Sequence, residues 1–216
     1  MSFDPLPTSL VRDLEAIEAS SDGVVVELGC GDGRLADHLK HHTSSWVGLD
    51  HRLPIPVPGI MADALDPPLR PECAGVVLAA NVVRHLSDDG GIPANWSNLV
   101  APGGALWIME DEPVADGEPG ALYRDLQRCL DRLVPGRKGT LRSLDWFRAK
   151  LRDQEGWTFG SERNLQPVND PTALLAGLDR YATEDPEVAA IAAAIRREGL
   201  DYGRYWWARR VRENRS

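Results

Sequence analysis

Cysteines, long apolar runs and leader-like features are all scarce in this 216-residue sequence. The three cysteines, Cys30, Cys73 and Cys129, are far apart and odd in number, which argues against a disulfide framework or a paired metal site. No apolar run approaches the roughly eighteen residues of a membrane-spanning helix. The opening MSFDPLPTSL has neither the basic flank nor the apolar stretch of a signal peptide. We therefore expect a cytoplasmic protein with no bound metal and no membrane partner.

Positive charge is also in deficit. Lys and Arg number 24 against 33 Asp and Glu, so the formal net charge is -9, and long-range electrostatics repel a phosphate backbone. A nucleic-acid partner is therefore disfavoured. A local basic face near the end of the chain is the alternative, although a solvated terminal strand or helix explains its arginines more simply. These arginines are Arg196, Arg197, Arg204, Arg209, Arg210, Arg212 and Arg215.

Strand and helix patterns alternate along the first half of the chain. VVVEL, at residues 24–28, is apolar apart from its acid and is typical of a strand covered on both faces. Further strands are predicted at SSWVGLD, IMAD, AGVVLAAN and, after an APGG turn, ALWIMED. HRLPIPVPG predicts a polyproline-like path and VVRHL the start of a helix. This βαβ series predicts an α/β fold with a parallel sheet, and a single domain over residues 1–216 is the economical interpretation.

The most informative stretch is ELGCGDGR, which follows the first predicted strand. Its glycines, at every second position from Gly29 to Gly33, let the backbone approach a ligand and adopt positive φ. A dinucleotide-binding loop reads G-x-G-x-x-G. Here the third glycine comes one residue early, which disfavours an NAD-dependent oxidoreductase. Asp50 lies at the distance from this loop expected for the end of the second strand.

This stretch resembles the first motif of class I S-adenosylmethionine-dependent methyltransferases, written E/D-x-G-x-G-x-G. The similarity covers roughly residues 22–112 and includes Asp50 after VGL, ADA at the third strand, AANVVRHL at the fourth and LVAPGGALWIME at the fifth. It implies a Rossmann-like, three-layer αβα sandwich with a mostly parallel seven-stranded sheet and an antiparallel last strand. It also implies methyl transfer, for which we expect a small-molecule acceptor. An RNA or protein methyltransferase, or a non-catalytic cofactor-binding protein of the same fold, is the alternative.

The resemblance places S-adenosyl-L-methionine at the carboxyl ends of the strands. It implies Glu27 on the methionine amino side, and the loop with its following helix N-terminus at the carboxylate. Asp50 would accept both ribose hydroxyls, Asp63 would meet the adenine and Asn81 would lie near the sulfonium. The complete implied set is Glu27, Gly29, Cys30, Gly31, Gly33, Asp50, His51, Asp63, Ala64 and Asn81.

Methyl transfer from a sulfonium is an in-line displacement, so alignment is the protein's main contribution. A base is needed only for a protonated nucleophile, and His85 is the candidate catalytic residue, with Asp111 or Glu112 as further candidates. Alternatively, His85 packs against the helix start or merely lines the pocket. Residues 81–84 read NVVR, without the proline pair and aromatic residue of enzymes that methylate nucleobase amines, which disfavours that substrate class.

Acceptor selectivity is expected in segments 113–145 and 171–198, added to the core. The second segment contains two predicted helices between the last two strands, where family members usually have a short hairpin. It would form a lid or a contact in a homodimer, the protein otherwise being a monomer. Its apolar residues, Leu174, Leu175, Leu178, Ile191 and Ile195, equally allow packing on the sheet. Tryptophans 146, 157, 206 and 207 are expected in core or edge packing.

The His85 hypothesis predicts a separation between catalysis and binding. Because a general base acts on the acceptor, His85→Ala should lower turnover more than it lowers cofactor affinity. Steady-state rates with an acceptor, compared with calorimetric titration of the cofactor, measure the two effects. Unchanged turnover would reject His85 as the base.

Overall fold

A computed structural model describes residues 6–20, 23–52, 58–86, 91–133, 139–163 and 172–214. Its centre is a seven-stranded sheet with the spatial order β3-β2-β1-β4-β5-β7-β6. β7 runs antiparallel to both of its neighbours, and the other strand pairs are parallel. The predicted fold is confirmed. In chain order the strands are β1 (Val25–Leu28), β2 (Trp46–Asp50), β3 (Gly59–Met61), β4 (Ala74–Ala80), β5 (Val100–Asp111), β6 (Trp157–Arg163) and β7 (Arg204–Val211).

Helices flank the sheet and also form a group of their own. In chain order they are α1 (Thr8–Ala19), α2 (Arg34–Leu39), α3 (Ala94–Leu99), α4 (Ala121–Leu133), α5 (Leu144–Lys150), α6 (Thr172–Ala182) and α7 (Pro186–Glu198). Among these described helices, none has the length and apolar character needed to cross a membrane.

Alternation along the strands builds two cores, one on each face of the sheet. In β4, Val77 and Ala79 face the core that contains Trp96 of α3 and Phe147 of α5. The intervening strand residues face the opposite core with α1 and α2. The central strands are buried throughout because helices cover both faces. The tryptophan prediction holds for Trp206, which is fully buried, and Trp146 and Trp157 pack against the same core.

A third core lies among α4, α6 and α7, here called the helical cluster. Leu126 of α4 packs with Leu178 of α6 and with Ile191 and Ile195 of α7. These apolar residues therefore face one another and not the sheet, contrary to one of the two predicted arrangements. Asp185 caps α7 through the backbone N–H groups of the next turn. The side chain of Leu174 lies outside the described part of the chain.

Two local predictions differ from the structure, and a third lies largely outside the described residues. VVRHL forms only a 3-10 turn, Val83–His85, since Leu86 is already extended. The predicted APGG turn is part of β5, which starts at Val100 and carries an irregular register opposite Ala74. Much of the predicted polyproline path, residues 53–57, lies outside the described residues.

The chain leaves the sheet for the helical cluster and returns to it at a close glycine contact. Gly120 precedes α4 and Gly203 precedes β7. A Cβ built on Gly120 would lie 2.7 Å from the Gly203 Cα, and both glycines have positive φ, +94° and +73°. Only glycine at position 120 satisfies both the backbone conformation and the space.

Gly120→Ala should therefore destabilise the protein more than Gly117→Ala. Gly117 also has positive φ, +81°, but a Cβ there would meet no atom within 4 Å. Both variants should lose about 1–2 kcal/mol from backbone strain, and Gly120→Ala about 1–3 kcal/mol more from overpacking. Urea unfolding measures the difference, and equal losses would show that the contact is not tight.

Candidate active site

A pocket of about 730 Å³ opens at the carboxyl ends of β1, β2 and β4. Ligands bind at this edge of open α/β sheets, and the volume is typical of a small-molecule site. Every predicted cofactor-binding residue except Gly33 lies in its wall, together with the candidate base His85. The predicted residues that line it are Glu27, Gly29, Cys30, Gly31, Asp50, His51, Asp63, Ala64, Asn81 and His85. Gly33 instead begins α2.

The glycine loop is fastened to β2 by backbone hydrogen bonds. The Cys30 N–H donates to the Leu49 carbonyl at 2.9 Å, and the Gly31 N–H donates to Asp50 Oδ2 at 2.8 Å. Gly31 has a φ of +54°, and a Cβ built on it would meet nothing within 4 Å. Because its backbone faces open space in the pocket, a ligand can approach it directly.

Asp50 is held in one orientation at the end of β2. Its Oδ1 accepts from the Arg52 N–H at 2.9 Å, while Oδ2 accepts from Gly31. Each oxygen of a carboxylate has further lone-pair capacity, so both can still accept from a ligand. His51 Nδ1 lies 3.5 Å from Oδ1, and its side chain is largely exposed. Asp50 is thus a preoriented double acceptor, which fits the predicted contact with a ribose diol.

Glu27 is the pocket's buried acid. It lies in β1 with 2% of its surface exposed, and Trp46 Nε1 donates to its Oε2 at 3.0 Å. The pKa of Glu27 is raised to about 8, mainly by burial. The charges of Asp50 and Asp32 also raise it, and the hydrogen bond from Trp46 opposes this rise. A buried carboxyl group with one neutral hydrogen-bond donor is suited to binding a cationic group of a ligand. This fits the prediction that Glu27 contacts the amino group of the cofactor's methionine. Sequence reasoning missed Trp46.

The part of the wall predicted to contact adenine is a short loop held by α3. Trp96 Nε1 donates to the Ala64 carbonyl at 2.7 Å, and Asn95 Nδ2 donates to the Leu65 carbonyl at 2.8 Å. Asp63 Oδ1 accepts from the Leu65 N–H at 2.8 Å. Asp63 therefore stabilises the turn and also lines the pocket, where a ligand can reach it.

Asn81 forms part of the floor at the end of β4. It has a left-handed φ of 58°, and its N–H donates to the Met109 carbonyl at 2.8 Å. Its Oδ1 accepts from Arg84 Nη2 at 2.6 Å. Sequence reasoning did not identify Arg84, which also lines the pocket.

Arg84 belongs to a buried ionic cluster behind the floor. Only 9% of its surface is exposed, and it pairs with Glu110 and Asp111 at the end of β5. Burial would lower the pKa of Arg84, but the two acids raise it. Burial raises the pKa of each acid against the opposing effect of Arg84. Tyr123 of α4 donates its hydroxyl proton to Asp111 Oδ2 at 3.2 Å, joining the helical cluster to this network.

Of the three candidate bases, His85 alone lies in the pocket wall described here. Asp111 is buried in the Arg84 cluster, and Glu112 accepts from the Ser161 hydroxyl at 3.0 Å. Cys30 also reaches the wall, but burial raises the pKa of its thiol to about 12, so it stays protonated at neutral pH. The catalytic role of His85 itself stays a prediction.

The terminal arginines contact other parts of the protein. Arg209 donates to both carboxylate oxygens of Asp13 at 2.8 Å, and Arg212 pairs with Glu72 at 2.6 Å. Arg196 pairs with Asp179 and Arg197 with Glu198. Arg215 lies outside the described residues. These pairs neutralise much of the basic face considered as an alternative.

Comparisons with known proteins agree with this geometry. The family described as a methyltransferase domain matches residues 26–108. No curated protein sequence matches the chain. Similar solved structures include a protein from Bacillus halodurans described as a methyltransferase, with 14% identity and a TM-score of 0.52, covering 95% of this chain and 100% of that one. Another is a geranyl diphosphate methyltransferase in complex with S-adenosylmethionine (12%, 0.52, covering 94% and 84%).

A third similar structure is the cyclase SpnF, with 15% identity and a TM-score of 0.53, covering 95% of this chain and 82% of that one. Identities this low show a shared fold and not a shared reaction. Sheet order, pocket position and the family match nevertheless agree. The chain has the Rossmann-like methyltransferase fold, and its residues 26–108 match the methyltransferase domain family.

Glu27 gives a prediction for pH and stability. Its pKa is higher in the folded state, about 8, than the usual value near 4.3. The contribution of neutral Glu27 to the free energy of unfolding is therefore fully present below about pH 4. It is lost as the pH rises to about 8. Glu27→Gln keeps an acceptor for Trp46 and removes the ionisation, so its advantage over the wild type should grow with pH, to at most on the order of 5 kcal/mol.

Urea unfolding at pH 5.5, 7 and 8.5 measures this divergence. Glu18→Gln is the matched control, because Glu18 is exposed and its pKa is lowered by hydrogen bonds from the Ser44 backbone and hydroxyl. It should follow the wild type over this range. Parallel curves for Glu27→Gln and the wild type would contradict the raised pKa.

Proposed function

We propose that this chain is an S-adenosyl-L-methionine-dependent methyltransferase that acts on a small-molecule acceptor. One observation carries the proposal: a buried acid, Glu27, and a preoriented acid, Asp50, line the same pocket beside the open Gly31 backbone. These groups match the three polar parts of the cofactor's amino acid and ribose. An ammonium group suits Glu27 and a diol suits Asp50, whereas the Gly31 N–H already donates to Asp50, so a carboxylate would meet the N–H groups at the start of α2.

In this mechanism the chain's residues chiefly bind and orient. Glu27 and the glycine loop would hold the amino-acid end, and Asp50 and the 63–65 loop the nucleoside end. When bound, the cofactor supplies a methyl group already activated by its sulfonium. Its chemistry would be transfer of that methyl group from sulfur to a nucleophilic atom of the acceptor, and His85 would take the proton of a protonated acceptor. Alignment can lower the barrier by about 7–11 kcal/mol.

The helical cluster supports an acceptor of small size. Asp131, on α4, lines the pocket together with His85, so segment 113–145 contributes to the wall beyond the cofactor residues. Segment 171–198 packs on α4 through Leu178 and Ile191. We assign both segments to the acceptor side of a single domain built on core 22–112. Neutralised terminal arginines and the -9 charge favour a metabolite over an RNA.

A cytoplasmic location, as a monomer or homodimer, belongs to the same proposal. Cys30, Cys73 and Cys129 are all free thiols, as a reducing compartment would leave them.

Cofactor binding can be tested with a truncated ligand. Calorimetric titration should show that wild-type protein binds S-adenosylhomocysteine and, more weakly, 5′-methylthioadenosine, which lacks the amino-acid end. Asp50→Asn should weaken both ligands about tenfold, because both contain the ribose diol. Glu27→Gln should weaken S-adenosylhomocysteine about tenfold and leave methylthioadenosine unchanged.

Controls for these variants are Asp66→Asn and Glu18→Gln, which lie outside the pocket wall and should bind as the wild type does. Failure of the wild type to bind S-adenosylhomocysteine would overturn the proposed function. Equal weakening of both ligands by Glu27→Gln would overturn the orientation. Methyl-labelled cofactor, incubated separately with small-molecule, RNA and protein fractions, then identifies the acceptor class. A cofactor-binding protein without catalysis would label none of them.

A further inference from the structure

We propose that Arg84 is a positioning residue that fixes the side-chain amide of Asn81 on the pocket floor. This role rests on the proposed function and on the predicted position of Asn81 near the sulfonium of the cofactor. In this role Arg84 neither acts as a base nor contacts the methyl acceptor itself. The role is distinct from neutralising the two buried acids, although the same guanidinium does both.

One carboxylate holds Arg84 by its main chain and its side chain. The Arg84 N–H donates to Glu110 Oε2 at 3.0 Å, and Nε donates to Oε1 at 2.9 Å. The N–H of Thr140 also donates to the Arg84 carbonyl at 2.8 Å. These bonds fix the guanidinium relative to β5 before any ligand enters.

The outer nitrogen of the guanidinium reaches three acceptors. Nη2 lies within hydrogen-bonding distance of Glu110 Oε1, of Asp111 Oδ2 at 2.7 Å and of Asn81 Oδ1 at 2.6 Å, and because it carries two hydrogens one of them is shared between two acceptors. A guanidinium has only donors, so the Asn81 atom that faces it must be the oxygen. The Asn81 amino group is therefore turned away from Arg84, and its orientation is set by the buried cluster.

The backbone of Asn81 is fixed as well. Its left-handed φ of 58° and its N–H bond to Met109 hold the Cα at the end of β4. Tyr123 donates to Asp111 from the other side of the cluster. The amide, the guanidinium and the two acids thus form one hydrogen-bonded network, in which only Asn81 and Arg84 reach the described pocket wall.

A double-variant cycle distinguishes positioning from a purely structural role. Asn81→Gly removes the amide and tolerates the left-handed backbone, and Arg84→Lys keeps the charge without the fork that reaches Asn81. Each should weaken S-adenosylhomocysteine about fivefold to tenfold by calorimetry. If Arg84 acts through Asn81, the double variant should be within about twofold of Asn81→Gly alone. If the fold losses in affinity of the two single variants instead multiply in the double variant, the proposal is overturned.

A spectroscopic readout tests the contact without any ligand. The side-chain NH₂ pair of Asn81, assigned in the ¹⁵N–¹H spectrum by its loss in Asn81→Gly, should shift in Arg84→Lys. If Arg84→Lys does not fold, Tyr123→Phe replaces it, because it removes the hydroxyl that donates to Asp111 and keeps the ring. Tyr202→Phe is the matched control, since its ring packs edge-on to Tyr123. The Asn81 signal should move in Tyr123→Phe and stay in Tyr202→Phe.

If the chemical shift of the Asn81 NH₂ pair is unchanged in both Arg84→Lys and Tyr123→Phe, the proposal is overturned, whether or not the variants bind the ligand. Absence of wild-type binding, with a responsive Asn81 signal, would instead overturn the proposed function and leave the Arg84–Asn81 contact established. The two failures are therefore distinguishable.

Discussion

The hydrogen bond from the Gly31 N–H to Asp50 is the interaction on which the site's arrangement depends. It joins the loop after β1 to the last residue of β2, and parallel pairing of these strands brings the two ends together. Because the same carboxylate also accepts from Arg52, its orientation is set by the backbone on both sides. A ligand that used Asp50 would meet an acceptor with little orientational entropy left to lose.

Two kinds of buried acid surround the pocket. Glu27 has a single neutral donor, Trp46, and burial keeps its pKa high. Glu110 and Asp111 share a buried arginine and a tyrosine hydroxyl, so their charge is largely compensated inside the protein. Glu27 can therefore gain a favourable interaction from a cationic ligand group, whereas the Arg84 cluster holds its own side chains in fixed positions. Both occur at the carboxyl edge of the sheet, beside each other along β1, β4 and β5.

The parts of the site that could be predicted from sequence were those with local signatures. The glycine spacing, Asp50 at the end of β2 and the buried strand carrying Glu27 are each determined within a few residues. Arg84, Trp46 and Trp96 were missed, because their importance depends on partners in other strands and loops. VVRHL failed as a helix start because the Arg84 N–H bonds to Glu110, and the chain is extended from Leu86. The sequence near Arg84 does not predict that Glu110 accepts this hydrogen bond, because Glu110 lies 26 residues further along the chain.

The connection between β6 and β7 has a consequence for how the chain assembles. These strands pair directly from Trp157 to Arg163, yet α6 and α7 separate them along the chain. Closing such a long connection costs more chain entropy than closing a tight hairpin, so this pairing has no local nucleus. Among the described strands, β6 lies at the edge of the sheet and pairs with β7 alone. It should be the last strand to dock during folding and the first whose amide protons exchange with solvent.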